Sequence, residues 1–104
     1  MSWIKTQSEY DELDKYEDHY KTIVYYKKNT DILHNPYGAA LIYSDGAKIY
    51  YINNKLHRLD GPAKIYSNCN VEYYINDMIL TKEEFEGHPE RLKYLGKEHL
   101  ICLG

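Results

Sequence analysis

The sequence predicts an α+β domain that is mainly β: an antiparallel meander of tandem 23-residue β-hairpin repeats, flanked by a short N-terminal helix and a C-terminal helix. Three observations carry this expectation. His34 to Asn53 is read again as His57 to Asn76 without a gap. Within each copy, two short runs of β-formers surround a turn signal. The flanking segments carry helix-capping patterns instead of strand alternation.

The self-alignment runs from Leu33-His34-Asn35-Pro36-Tyr37-Gly38-Ala39-Ala40 onto Leu56-His57-Arg58-Leu59-Asp60-Gly61-Pro62-Ala63, and on to Tyr50-Tyr51-Ile52-Asn53 and Tyr73-Tyr74-Ile75-Asn76. A fixed period of this length signals stacked units, each burying its apolar face against its neighbour. An imperfect earlier copy begins at Ile23-Val24-Tyr25-Tyr26 and runs into Asp31-Ile32-Leu33-His34, with two extra residues in its turn.

In the first full unit, Ala39 to Ser44 and Lys48 to Asn53 are the strands, joined through Ser44-Asp45-Gly46, where Gly accepts positive φ. Cys69 stands at the Gly46 position of the second unit, and a left-handed conformation costs a non-glycine residue about 1 kcal/mol, so a longer or different turn is expected there. Asn53-Asn54 and Asn76-Asp77 end the second strands with residues suited to turns. Strand period places Ala40, Ile42, Tyr50 and Ile52, with Ala63, Ile65, Tyr73 and Ile75, on a core face. The other face receives Tyr43, Tyr51, Tyr66 and Tyr74 among Leu41, Lys48, Lys64 and Glu72. Two readings of these tyrosines follow: cross-strand aromatic pairing that supports the sheet, or a rigid aromatic surface that binds a partner.

Residues 1–22 are expected to form an acidic cap, with a helix over Ser8 to Glu17 whose N-cap is Ser8. Residues 1–20 hold six carboxylates and two lysines, which suits either a solvated helix surface or a docking face for a basic partner. Residues 23–80 form the sheet, and residues 81–104 a helix and an apolar tail. Thr81-Lys82-Glu83-Glu84 is a capping box. Gly87-His88-Pro89 interrupts this helix, Glu90 to Leu95 resumes it, and Gly96 is expected to stop it. Leu100-Ile101-Cys102-Leu103 is apolar enough to pack onto the sheet or another subunit.

Composition narrows the function. Thirteen tyrosines against one Phe and one Trp favour thin layers, because a buried tyrosine needs a partner for its hydroxyl. A net charge of -3 disfavours general nucleic-acid binding, and no basic amphipathic segment suggests membrane binding. Two cysteines, Cys69 and Cys102, fit a reduced cytoplasmic protein, with their pairing left open. Histidines and cysteines show no metal-ligand spacing, and no motif implies a cofactor.

His57-Arg58-Leu59-Asp60-Gly61-Pro62-Ala63 is the most distinctive string. Tyr50 to Ala63 resembles the aromatic-aromatic-x-Asn-Gly-Lys-x-His-Arg-x-Asp-Gly-Pro-Ala repeat of proteins from large DNA viruses and tailed bacteriophages. It is more distantly similar to membrane occupation and recognition nexus repeats and to hairpin-repeat antitoxins. The resemblance covers residues 25–86, including Leu80-Thr81-Lys82-Glu83-Glu84-Phe85. The chain has Asn54 where the pattern has Gly, and its first unit reads Asn35-Pro36-Tyr37-Gly38-Ala39, without the Arg, Asp and Pro of the pattern. One unit works without them, which favours a loop staple: His57 donating to a carbonyl, Asp60 accepting turn N–H groups, Gly61 supplying an unusual φ and Pro62 starting a strand. A His57–Asp60 acid–base pair with Arg58 on an anion is the alternative, for which no nucleophile or metal is apparent.

These observations favour a non-enzymatic, virus- or phage-encoded module that binds and inhibits or redirects a host protein; that the target is a defence or toxin system is what the resemblance alone implies. Tyr43, Tyr51, Tyr66 and Tyr74 are its expected anchors. The alternatives are an oligomer that sequesters a small molecule or nucleotide with His57, Arg58 and Asp60 as polar contacts, and an architectural homo-oligomer.

Overall fold

The computed structural model describes residues 3–103, with side chains described as far as residue 96. Eight strands form one antiparallel meander: β1 (Ile4–Thr6), β2 (Leu13–Glu17), β3 (Ile23–Lys27), β4 (Leu41–Ile42), β5 (Lys48–Ile49), β8 (Lys64–Ile65), β9 (Val71–Ile75) and β10 (Met78–Leu80). A separate two-stranded ribbon, β6 (Tyr51–Ile52) with β7 (Lys55–Leu56), interrupts the chain between β5 and β8. Two helices follow, α1 (Lys82–Glu86) and α2 (Pro89–Leu103). The slab measures 44 × 32 × 21 Å, and its thin dimension holds little more than a sheet and one covering layer.

Turn chemistry sets the meander. Asn53 and Asn54 (φ 51° and 66°) close β6 on β7, and Asn76 and Asp77 (φ 51° and 69°) close β9 on β10. Two consecutive left-handed residues make the mirror-image turn whose twist suits a two-residue hairpin. The β4–β5 and β8–β9 hairpins use three-residue loops. Tyr43 N–H donates to the Ala47 carbonyl at 2.9 Å around Gly46 (φ 96°), and Tyr66 N–H donates to the Asn70 carbonyl at 2.8 Å around Cys69 (φ 72°). Cys69 therefore adopts the glycine conformation and the turn is unchanged, contrary to the expected longer one. Asn68 Oδ1 holds the Asn70 N–H as Asp45 Oδ1 holds that of Ala47, which supports the strained residue locally.

The expected N-terminal helix over Ser8 to Glu17 is a turn followed by β2. A helix that short is marginal by itself, whereas five register pairs, from Leu13 with Lys27 to Glu17 with Ile23, join β2 to β3. The carboxylates that resemble a helical first turn satisfy other N–H groups. Buried Asp14 accepts the Asn29 N–H at 2.8 Å and meets Lys5 at 3.3 Å, while buried Asp18 accepts those of Tyr20 and Thr22, both at 2.9 Å. Ser8 caps the Tyr10 N–H in a local turn.

At the other end, Thr81 and Glu84 form the reciprocal capping box of α1 as expected. His88 Nδ1 accepts the Glu90 N–H at 3.2 Å, with Pro89 pre-set for the first turn of α2. Gly96 does not stop α2. A lone glycine costs a helix about 1 kcal/mol but ends it only through a left-handed cap, and its φ is not positive. The packing of Leu100 to Leu103 and the pairing of Cys69 with Cys102 fall on side chains outside the described residues.

Most of the core lies on one sheet face around three tyrosines in corresponding positions, Tyr25, Tyr50 and Tyr73, while Val24 is buried on the other face. Tyr25 is buried, and its hydroxyl donates to Glu9 at 2.8 Å with Tyr10 packed edge-on. Burial, then the bond to Glu9, raises its pKa far above the phenol range. Tyr50 lies under Arg58, and Tyr73 packs on buried Phe85 at 4.6 Å between ring centres, with Arg91 over the Phe85 ring. Ala40, Ala63 and Ile75 are buried as expected; Ile42, Tyr50, Ile52, Ile65 and Tyr73 are half-buried. Lys48 is a correction. The three-residue loop pairs it with Ile42, so it shares the core-side row and its exposed side chain lies at the margin of that face.

Candidate functional site: a tyrosine face and an interloop groove

On the opposite face the register aligns Val24, Leu41, Ile49, Lys64 and Glu72 across five strands. Tyr43, Tyr66 and Tyr74 stand two residues further along β4, β8 and β9, with Tyr51 continuing the line of β5. Tyr43 and Tyr66 are 39% and 41% exposed, and Tyr51 and Tyr74 are half-buried. Hydroxyls of Tyr66 and Tyr74 donate to Glu72 at 2.9 and 3.3 Å, and Lys64 Nζ lies 5.5 Å from the Tyr74 ring centre.

Burial raises the pKa of Tyr51, followed by the nearby Tyr43 and Asp77; burial also leads for Tyr74, followed by Glu72. The hydrogen bond to Glu72 is the main cause of the increase at Tyr66. Raised pKa values keep Tyr51, Tyr66 and Tyr74 neutral at neutral pH, and the hydroxyl protons of Tyr66 and Tyr74 are already donated to Glu72. Among the described ring contacts, none joins two of these four residues; the tyrosine pairs are Tyr10–Tyr25, Tyr10–Tyr37 and Tyr16–Tyr26.

Two further residues belong to this face. Tyr26 pairs with Leu33 as Tyr51 pairs with Leu56 and Tyr74 with Ile79. Tyr16, opposite Val24, packs edge-on against Tyr26 at 5.7 Å. Tyr26 was signalled by the imperfect first copy. Tyr16 was hidden by the helical reading of its segment.

On the core side, a groove of about 240 Å³ runs between the loop Asn35–Gly38 and the loop His57–Asp60, floored by Tyr50 and flanked by Tyr94 of α2. Its polar residues are mutually engaged. His57 is not the expected donor: its Nδ1 accepts the Asn76 N–H at 3.1 Å, as His34 Nδ1 accepts that of Asn53 at 3.0 Å. The neutral imidazole therefore carries its proton on Nε2. Burial lowers the pKa of both histidines; nearby Lys27 adds to this at His34, whereas Glu90 partly opposes it at His57.

Arg58 Nε meets Asp60 at 2.8 Å, Arg58 Nη1 donates to the Pro62 carbonyl at 3.1 Å, and the guanidinium stacks 4.0 Å from the Tyr50 centre. Asp60 thus holds a side chain instead of the expected turn N–H groups. Gly61 has no positive φ. A Cβ there would fall 2.9 Å from Arg58 Cζ, so glycine makes room for the guanidinium. No hydrogen bond joins His57 to Asp60, so the structure contains no acid–base pair between them.

Among the described residues, no group of three or more His, Cys, Asp or Glu side chains is arranged to hold a metal, and no helix is long and apolar enough to cross a membrane. No protein-family model, curated protein or solved structure matches this chain.

Proposed function

We propose that this chain is a non-enzymatic binding module, built on a 23-residue hairpin unit, that uses its tyrosine face to bind and inhibit or redirect a host protein in the host cytoplasm. The observation that carries this reading is the exposure of Tyr43 and Tyr66 on that face among the described residues. Phe85 of α1 and Tyr94 of α2 both pack on the opposite side, leaving Tyr43 and Tyr66 exposed. Tyrosine supplies broad contact area and a hydrogen bond at low entropy cost, which suits a protein partner. The resemblance of residues 50–63 to viral and phage repeats supports a host protein as that partner.

The test is affinity capture from the host-cell lysate with the full chain and a Tyr43→Ala/Tyr66→Ala variant. The expected result is one stoichiometric protein lost with the double substitution. Equal capture by a folded variant would overturn the reading. The groove beside His57 and Arg58 favours a second reading, retention of a small molecule or nucleotide. Native mass spectrometry of the purified chain would reveal that ligand as added mass, and an unshifted mass would count against it.

A further inference from the structure

Two positions in corresponding places make the same paired contact. Leu33 N–H donates to Asn54 Oδ1 at 2.7 Å, and the Leu33 carbonyl accepts the Asn54 N–H at 2.8 Å. Leu56 and Asp77 repeat both bonds at 2.7 and 2.8 Å. In each case the strand residue sits opposite a tyrosine, Tyr26 or Tyr51. The incoming residue is the second member of a two-residue turn in left-handed conformation. The contact has a defined chemistry: one backbone N–H and one side-chain oxygen read one backbone carbonyl and one N–H.

Ile79 is the next residue in this series, opposite Tyr74 on β10. Its pair is the second beyond the turn, where antiparallel geometry directs N–H and C=O away from the hairpin. Among the described residues, no turn reaches these two groups. β10 is the last strand of the sheet, and Met78 and Ile79 are 65% and 57% exposed. Both corresponding turns of this chain are already seated, Asn54 on Leu33 and Asp77 on Leu56.

The geometry points to Ile79 as a docking socket for a two-residue hairpin turn of another protein, with Asn or Asp as its second residue. Edge-strand addition would extend the stack by one hairpin. The socket uses backbone groups of the sheet edge and does not depend on binding by the tyrosine face.

The probe is a backbone-cyclised peptide carrying the chain's own Tyr73–Leu80 segment, titrated into the full-length protein and followed by amide NMR and hydrogen exchange. The expected result is a shift centred on the Ile79 amide with at least about tenfold slower exchange there. A peptide with Asp77→Ala should bind at least about tenfold more weakly, because it lacks the side-chain oxygen. Ile79→Pro in the protein, tolerated on an edge strand, removes the N–H of the socket and should abolish the peptide-induced shifts of the neighbouring Met78 and Leu80 amides. Three outcomes would overturn the proposal: an unmoved Ile79 amide at saturating peptide, equal binding of the Asp77→Ala peptide, or concentration-dependent Ile79 protection without peptide, which would assign the edge to a second copy.

Discussion

In the loop Asn35–Gly38, a buried amide donates from Asn35 Nδ2 to the Ala39 carbonyl at 2.9 Å. In the loop His57–Gly61, Arg58 Nη1 donates to the Pro62 carbonyl at 3.1 Å, again four residues on. Asn35 also accepts the Tyr37 N–H through Oδ1, whereas Arg58 spends its remaining surface on Asp60 and the Tyr50 ring. One strand entry is thus closed by a compact, internally satisfied amide, the other by a longer cation that needs an anion, an aromatic floor and a glycine. Where the second loop uses Arg58, Asp60 and Gly61, the first is closed by the single amide of Asn35.

The largest effect separating the loops should come from truncating these donors. Asn35→Ala strands the buried Ala39 carbonyl and removes the acceptor of the part-buried Tyr37 N–H, and should cost about 3 kcal/mol. Arg58→Ala should cost about 2 kcal/mol, from one hydrogen bond and the stack on Tyr50, with little from the exposed Asp60 pair. Urea unfolding would measure both, and the reverse order would show that the loops are not equivalent closures.

Next come the glycines. Gly61→Ala should cost about 1–2 kcal/mol by displacing the guanidinium, while Gly38→Ala, whose Cβ would find Asn35 Nδ2 at 4.0 Å, should stay within about 0.5 kcal/mol of neutral. Combining Gly61→Ala with Arg58→Ala should cost less than the sum. Strict additivity in the double-mutant cycle would remove the steric account.

A change of about 1 kcal/mol in the stabilising direction is expected for Cys69→Gly, since the left-handed turn would lose its Cβ strain. Thermal melts that leave the midpoint unchanged would show that the Asn68 contact already offsets the strain.

The smallest effect is shared by the two loops. His34 and His57 accept N–H groups only while neutral, and burial lowers both pKa values below the ordinary 6.5. Protons therefore bind the unfolded chain more readily. The stability contribution is complete above about pH 6.5 and falls as pH drops through the lower folded-state values. Melting temperatures should decline between pH 7.5 and pH 5; a flat profile would contradict the imidazole-acceptor geometry.

Local chemistry made much of this legible. Ser44-Asp45-Gly46, Asn53-Asn54 and Asn76-Asp77 specify turns through their own backbone preferences, and Thr81 with Glu84 specifies a helix start. What misled was chemistry with two local solutions. Glu9 to Glu17 can dress a helix end or fasten turns, and only the distant β3 decides between them. Gly61 suggested positive φ but supplies space, a distinction that depends on where the Arg58 side chain folds. At the candidate site, period two placed four tyrosines on one face; Tyr16 joined them only through the strand pairing that local pattern concealed.

The contacts from Asn54 back to Leu33, and from Asp77 back to Leu56, each span 21 residues, and those from Asn53 to His34 and from Asn76 to His57 span 19. Such short chain separations bear on the time course of folding. Every pairing joins strands consecutive in the chain except β5 with β8, which only the short β6–β7 ribbon separates, so the chain closes modest loops one after another without a search for a distant strand. During synthesis, the first hairpins have their strand partners before the last emerge, and each completed hairpin presents the next with an edge for growth.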